Sequence, residues 1–147
     1  MTEEHCDICF DINMFQKNAV ASAIFQKAEK TEKPAMECPP NATALGRATW
    51  TFLHTMAAYY PTEPSREKQK DMNDFLTAFS KVYPCGHCAE HMRAEMEIVP
   101  PQVHSRDALS LWLCTFHNKV NEMLGKPIFD CSRVLDRWRF GFGNCKK

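Results

Sequence analysis

The chemistry this sequence can do starts with Cys85 and Cys88 in the run Tyr83-Pro84-Cys85-Gly86-His87-Cys88. Two residues between cysteines let the sulfurs meet across one helical turn and close a small, readily opened ring, which is the geometry of a redox dithiol. Pro84 sets Cys85 at the start of a helix, where unpaired amides and the helix dipole lower a thiol's pKa; a protonated His87 acts in the same direction. A lowered pKa gives a better leaving thiolate and a more oxidising pair. The competing use is half of a zinc site, for which Cys6-Asp-Ile-Cys9 offers a second close pair.

Cys-Gly-His-Cys is also the tetrapeptide of protein disulfide isomerases. Their thioredoxin fold needs βαβ units that this sequence does not offer, so the tetrapeptide alone does not assign it. A second, wider pair, Cys114 and Cys131, looks structural: closing a loop of that size contributes about 3 kcal/mol in the chain-entropy model. Cys38 and Cys145 flank the helical region and can pair within one chain or across a two-fold dimer. Cys6 and Cys9 sit on a tail, beside Phe10, Ile12 and Phe15, which offer a small apolar docking surface.

Two polar stripes accompany the dithiol. Arg47, Trp50 and His54 share one face of a helix, and Cys114, His117, Asn118 and Asn121 share a face of another. Buried polar groups need partners, so an internal network is one reading. A flat polar ring system between the helices is the other: Trp and His stack, Asn and Arg hydrogen-bond. A flavin fits that description.

The elements that position these residues read as helices. Asn41 caps a helix running to about Tyr60, stopped by Pro61. Ser65 caps the next, with Met72, Phe75, Leu76, Phe79 and Val82 on one face. A third opens at Cys85 and ends before Pro100-Pro101. Ser105 caps a fourth, with a stripe of Leu109, Leu113, Phe116, Val120 and Leu124, and Gly125 ends it. A short fifth helix is expected over Ser132–Arg139. Strand signals are thin. The expected fold is all-α, a four-helix bundle plus a short fifth helix, over residues 38–147. Residues 1–37 read as a flexible tail, with a linker over Gln26–Glu37 and a short helix over Ala19–Ala28.

The chain has 147 residues, eight cysteines and a formal net charge of zero. Zero net charge gives no electrostatic case for nucleic acid or an acidic membrane surface. Eight cysteines fit an oxidising compartment. The acidic first residues carry neither a secretory signal nor the character of a transit peptide, and no apolar run is long enough to span a bilayer. That combination points to the mitochondrial intermembrane space, where oxidation itself retains small proteins, or to a cytosolic redox enzyme.

The stretches that carry a family resemblance are Cys38-Pro-Pro-Asn, Leu45-Gly-Arg-Ala-Thr-Trp50-Thr-Phe-Leu-His54, Ala57-Ala-Tyr-Tyr-Pro61, Phe79-Ser-Lys-Val-Tyr-Pro-Cys85-Gly-His-Cys88, His117-Asn-Lys-Val-Asn121, Leu124-Gly-Lys-Pro127 and Arg137-Trp138-Arg. In order and register, residues 38–145 resemble the Erv/ALR flavin-dependent sulfhydryl oxidases, and the augmenter-type members in particular. The resemblance implies a five-helix domain with FAD held at the mouth of the bundle. It implies that Cys88 is the flavin-proximal cysteine and that Cys85 exchanges with incoming thiols. On the first helix it implies FAD contacts from Gly46, Arg47, Trp50, His54 and Tyr59, with Tyr83 beside the dithiol. From the fourth helix onward it implies Cys114, His117, Asn118, Val120, Asn121, Lys126, Arg137 and Trp138. It makes Cys114–Cys131 a structural disulfide and Cys38–Cys145 the bridge between two subunits of a homodimer. It makes Cys6–Cys9 a shuttle pair, with the CHCH-domain import oxidoreductase of the intermembrane space as dithiol substrate. Cytochrome c or dioxygen would be the electron acceptor. The tail matches in cysteine spacing alone. Two other readings are an extracellular growth-factor-like signalling protein and a zinc-binding interaction module.

Overall fold

In the computed structural model, residues 38–141 are described. Four α-helices follow one another: α1 (Ala42–Ala58), α2 (Arg66–Val82), α3 (Gly86–Ile98) and α4 (Arg106–Met123). No strand occurs among the described residues, and no helix there is long and apolar enough to cross a membrane. The helices belong to a unit beginning at Pro40. The tail cysteines Cys6 and Cys9, the linker, the short helix expected over 19–28, and Cys145 lie outside the described residues. Cys38 is exposed, and its thiol is unbonded.

Each helix starts where a side chain satisfies an orphan amide. Asn41 accepts from the Ala44 amide at 2.9 Å, Ser65 from Lys68 at 3.1 Å, and Ser105 from Ala108 at 3.1 Å. α3 is capped by sulfur: Cys85 Sγ accepts from the Cys88 amide at 3.4 Å. α4 stops at Gly125, whose φ of 63° is costly for residues with a Cβ. Leu53 and Ala57 of α1 pack with Leu76 of α2, Met92 of α3, and Leu109, Leu113 and Phe116 of α4 in one core.

Two details differ from the expected stripes. Val82 is 77% exposed. At 100° per residue it falls at the edge of the α2 stripe, and Tyr83 takes over instead, its ring 5.3 Å from Phe79. Leu124, the cap residue of α4, is also exposed. The fifth helix is irregular: a 3-10 turn over Cys131–Arg133 widens through Val134 and Leu135 into a π turn over Asp136–Phe140. Its Gly141 amide reaches back to the Asp136 carbonyl at 2.8 Å.

Candidate functional site

Among the described residues the disulfides are Cys85–Cys88 and Cys114–Cys131. Cys85 and Cys88 are the N-cap and first-turn residues of α3, with Cα atoms 5.3 Å apart. Both open into one cleft of about 880 Å3. That lies within the roughly 300–1,000 Å3 of small-molecule and cofactor sites. Cys88 is exposed there and Cys85 half-buried. The zinc alternative needs Cys6 and Cys9, which are outside the described residues.

The cleft wall is built from α1, α4 and the C-terminal turn. Trp50 stacks on His117 with centroids 4.0 Å apart and planes 5° from parallel. His54 stacks on Trp138 at 4.9 Å and 4°. The two stacks are tied by a 3.0 Å hydrogen bond between His54 Nε2 and His117 Nδ1. His54 is 3% exposed, and its Nδ1 has no partner. Burial pushes the His54 imidazole down to about 3, with His117 and Arg137 adding to the effect. Burial and then Lys126 push His117 down to about 4. Both rings are therefore neutral at physiological pH, and a single N–H serves the bond between them.

Arg47, Lys126 and Arg137 line the cleft, and no Asp or Glu among the described residues does. Such a wall suits an anion such as a diphosphate. Gly46 sits mid-helix on the lining, with nothing within 4 Å of where a Cβ would stand. The backbone of α1 is thus open to close approach. Flat neutral rings, an unpaired buried imidazole nitrogen, three cations and this bare backbone fit a dinucleotide carrying a flat heterocycle.

Of the residues expected in the site, Gly46, Arg47, Trp50, His54, Tyr83, Cys85, Cys88, Cys114, His117, Asn118, Val120, Asn121, Lys126, Arg137 and Trp138 line this one cleft. Tyr59 does not. It lies at the C-cap of α1, 47% exposed, beneath the Arg139 guanidinium. Asn118 is engaged in holding the loop: it donates to the Phe129 carbonyl at 2.8 Å and accepts from the Phe129 amide at 3.0 Å. Tyr83 accepts from the Thr49 hydroxyl at 3.3 Å, fixing the approach to Cys85 against α1. Sequence reasoning passed over His91, which lines the cleft and stacks on Phe116 at 6.2 Å. Its position three residues after Cys88 was a usable signal.

A family model described as "Erv1 / Alr family" matches residues 47–139. An Arabidopsis thaliana protein named FAD-linked sulfhydryl oxidase ERV1 is 48% identical over 100 residues, covering 68% of this chain and 52% of the relative. A Saccharomyces cerevisiae protein named mitochondrial FAD-linked sulfhydryl oxidase ERV1 is 44% identical over 104 residues, 71% of this chain and 55% of the relative. The chain thus spans about half the length of the curated relatives it matches. The crystal structure of the yeast Erv1 core superposes with a TM-score of 0.74 at 40% identity, covering 78% of this chain and 97% of that one.

Proposed function

The chain belongs to the Erv1 / Alr family, and from that premise we propose that it is an FAD-dependent thiol oxidase that makes disulfides in protein substrates. The observation that carries the reading is the dithiol at the N-terminus of α3, opening into a cleft walled by stacked neutral rings and cations. The relatives named FAD-linked sulfhydryl oxidases support the same reading.

An incoming thiolate attacks Cys85 Sγ. The Cys85–Cys88 bond breaks, and Cys88 leaves as a thiolate within the cleft. The partner's second thiol then attacks the mixed disulfide, the partner leaves oxidised, and Cys85 is left reduced. Cys85 Sγ already accepts the Cys88 amide, so negative charge at this helix end meets N–H groups and the positive end of the dipole. Arg47, Lys126 and Arg137 would hold the diphosphate. Trp50, His54, His117 and Trp138 would hold the flat ring faces, and the bare backbone at Gly46 would allow close approach. Bound FAD supplies the two-electron acceptor that the dithiol needs. The protein's part is to keep Cys88 facing that acceptor and Cys85 facing the partner.

The finer assignments belong to the same proposal. Cys6–Cys9 relays electrons from a CHCH-domain import oxidoreductase, supported by the cysteine spacing of the tail. Cytochrome c or dioxygen takes them from the enzyme. Two copies join through Cys38 and Cys145, which the exposed, unbonded Cys38 thiol permits. The compartment is the mitochondrial intermembrane space, supported by relatives named as mitochondrial.

The test is an absorbance spectrum before and after dithiothreitol in a closed cuvette. A flavin band that bleaches and returns on admitting air is the expected result. A colourless protein overturns the reading.

A further inference from the structure

Arg139 joins the C-terminal turn to the end of α1. Its Nη1 donates to the Ala58 carbonyl at 2.9 Å. Its guanidinium lies over Tyr59, 5.2 Å from the ring centroid, and over Phe140 at 5.7 Å. The last carbonyls of a helix lack partners within it and carry the negative end of the dipole, so charge and geometry both favour a planar cation there. Ala58 is 1% exposed, and the bond is part-buried. The adjacent carbonyls are occupied. Thr55 and Ala57 accept the amides of Tyr59 and Tyr60 at 3.1 and 3.2 Å, and Tyr60 accepts from Arg106 Nε at 2.6 Å.

The consequence is one of register. Ala58 lies one helical turn beyond His54 on α1. Arg139 directly follows Trp138. Fixing Arg139 on Ala58 therefore fixes the height on α1 at which Trp138 meets His54, and those two rings stack within 4° of parallel. The wide π turn sends Arg137 and Trp138 into the cleft wall while Arg139 reaches the end of α1.

We propose that Tyr59, Arg139 and the Ala58 carbonyl form a latch that positions Trp138 and Arg137 for the cofactor. Tyr59 acts on the cleft from outside, as the face on which the guanidinium rests, and Arg139 and Tyr59 are positioning residues. The inference rests on FAD occupying the cleft.

The test titrates FAD into the full chain freed of flavin, alongside two measurements that need no cofactor. These are the near-ultraviolet circular dichroism of the aromatic stack and the rate at which dithiothreitol opens Cys85–Cys88. Arg139→Ala is expected to weaken FAD binding about tenfold, the scale of losing one charge-assisted hydrogen bond. It should reduce the aromatic signal and leave the opening rate unchanged. Arg139→Lys keeps the charge without the planar fork and should restore part of the affinity. Tyr59→Phe, which keeps the ring, should bind FAD more tightly than Tyr59→Ala. Wild-type affinity in Arg139→Ala overturns the latch, as does equal damage from both Tyr59 variants, which would put the hydroxyl on the ligand. If Arg139→Ala does not fold, Arg139→Lys and the Tyr59 pair decide the matter. A wild-type chain that takes up no FAD refutes the functional reading, and the aromatic signal of the variants still tests the latch.

Discussion

His54 and His117 face each other across the cleft wall, Nε2 to Nδ1 at 3.0 Å, each ring also stacked on a tryptophan. The pair holds α1 against α4 at the place where the cleft needs flat walls. It works with one shared proton. Protonating one ring would put a cation beside Arg137 and Lys126, and protonating both would set two cations face to face.

Acid should therefore weaken the fold from the inside. Both imidazoles have folded-state pKa values, about 3 and about 4, below the ordinary 6.5. Between those limits the unfolded chain binds protons that the folded chain refuses, so stability falls as pH falls. The contribution is level above pH 6.5 and is lost progressively toward pH 4. Urea midpoints measured across that window should slope downward, and His117→Gln should flatten the slope. An identical slope in the variant would show that other groups titrate there.

Gly46→Ala separates apo stability from cofactor binding. The site is mid-α1, and a Cβ there meets nothing within 4 Å. Helix propensity alone predicts a gain of about 1 kcal/mol in the flavin-free chain. Because the Cβ enters the cleft, FAD affinity should fall in the same variant. Thermal unfolding with and without FAD gives both quantities. Affinity equal to wild type would mean that the bare backbone at Gly46 is not approached.

The helices and their ends were legible in the sequence because Asn41, Ser65, Ser105 and Gly125 each satisfy a local backbone need that depends on few neighbours. The polar stripes were legible because a 3.6-residue period puts Arg47, Trp50 and His54 on one face whatever the tertiary fold. Tyr59 was not. Its expected place came from the family resemblance, which marks a position without showing which way its ring turns, and Arg139, which lies over it, comes from the other end of the domain. The π turn also escaped the sequence reading, since its widening depends on where Arg139 and Trp138 find partners. Asn118 shows the same limit: spacing put it on the cleft face, but its amide spans the Phe129 backbone.

The loop behind that face offers a further test. Asn118 makes two hydrogen bonds to Phe129, and Cys131 beyond it is bonded to buried Cys114. Replacing Asn118 with Ala removes both bonds and leaves the Phe129 groups needing other partners, a cost of about 2 kcal/mol. Opening Cys114–Cys131 by the double alanine variant should cost about 3 kcal/mol. The two changes act on one short loop, so a triple variant should lose less than the sum. Full additivity in urea denaturation would show that the clamp and the disulfide act independently.

The dithiol itself predicts an asymmetry. Cys88 is exposed within the cleft, whereas Cys85 caps α3 with its sulfur on the Cys88 amide. On the proposed assignment, Cys88→Ala removes the sulfur that would face the acceptor while leaving the ring stacks and cations in place, so FAD should stay bound and turnover should fall by orders of magnitude. Cys85→Ala removes the sulfur proposed to exchange with the partner and leaves a lone thiol in the cleft. It should also lose turnover with dithiol substrates, yet perturb the absorbance of bound oxidised flavin, because the Cys88 thiol remains in the cleft. Spectra of the two variants, taken with turnover on dithiothreitol, separate the roles. Near-wild-type oxidation by Cys88→Ala would refute the assignment. A flavin spectrum perturbed in Cys88→Ala but not in Cys85→Ala would reverse it, making Cys85 the sulfur at the cofactor.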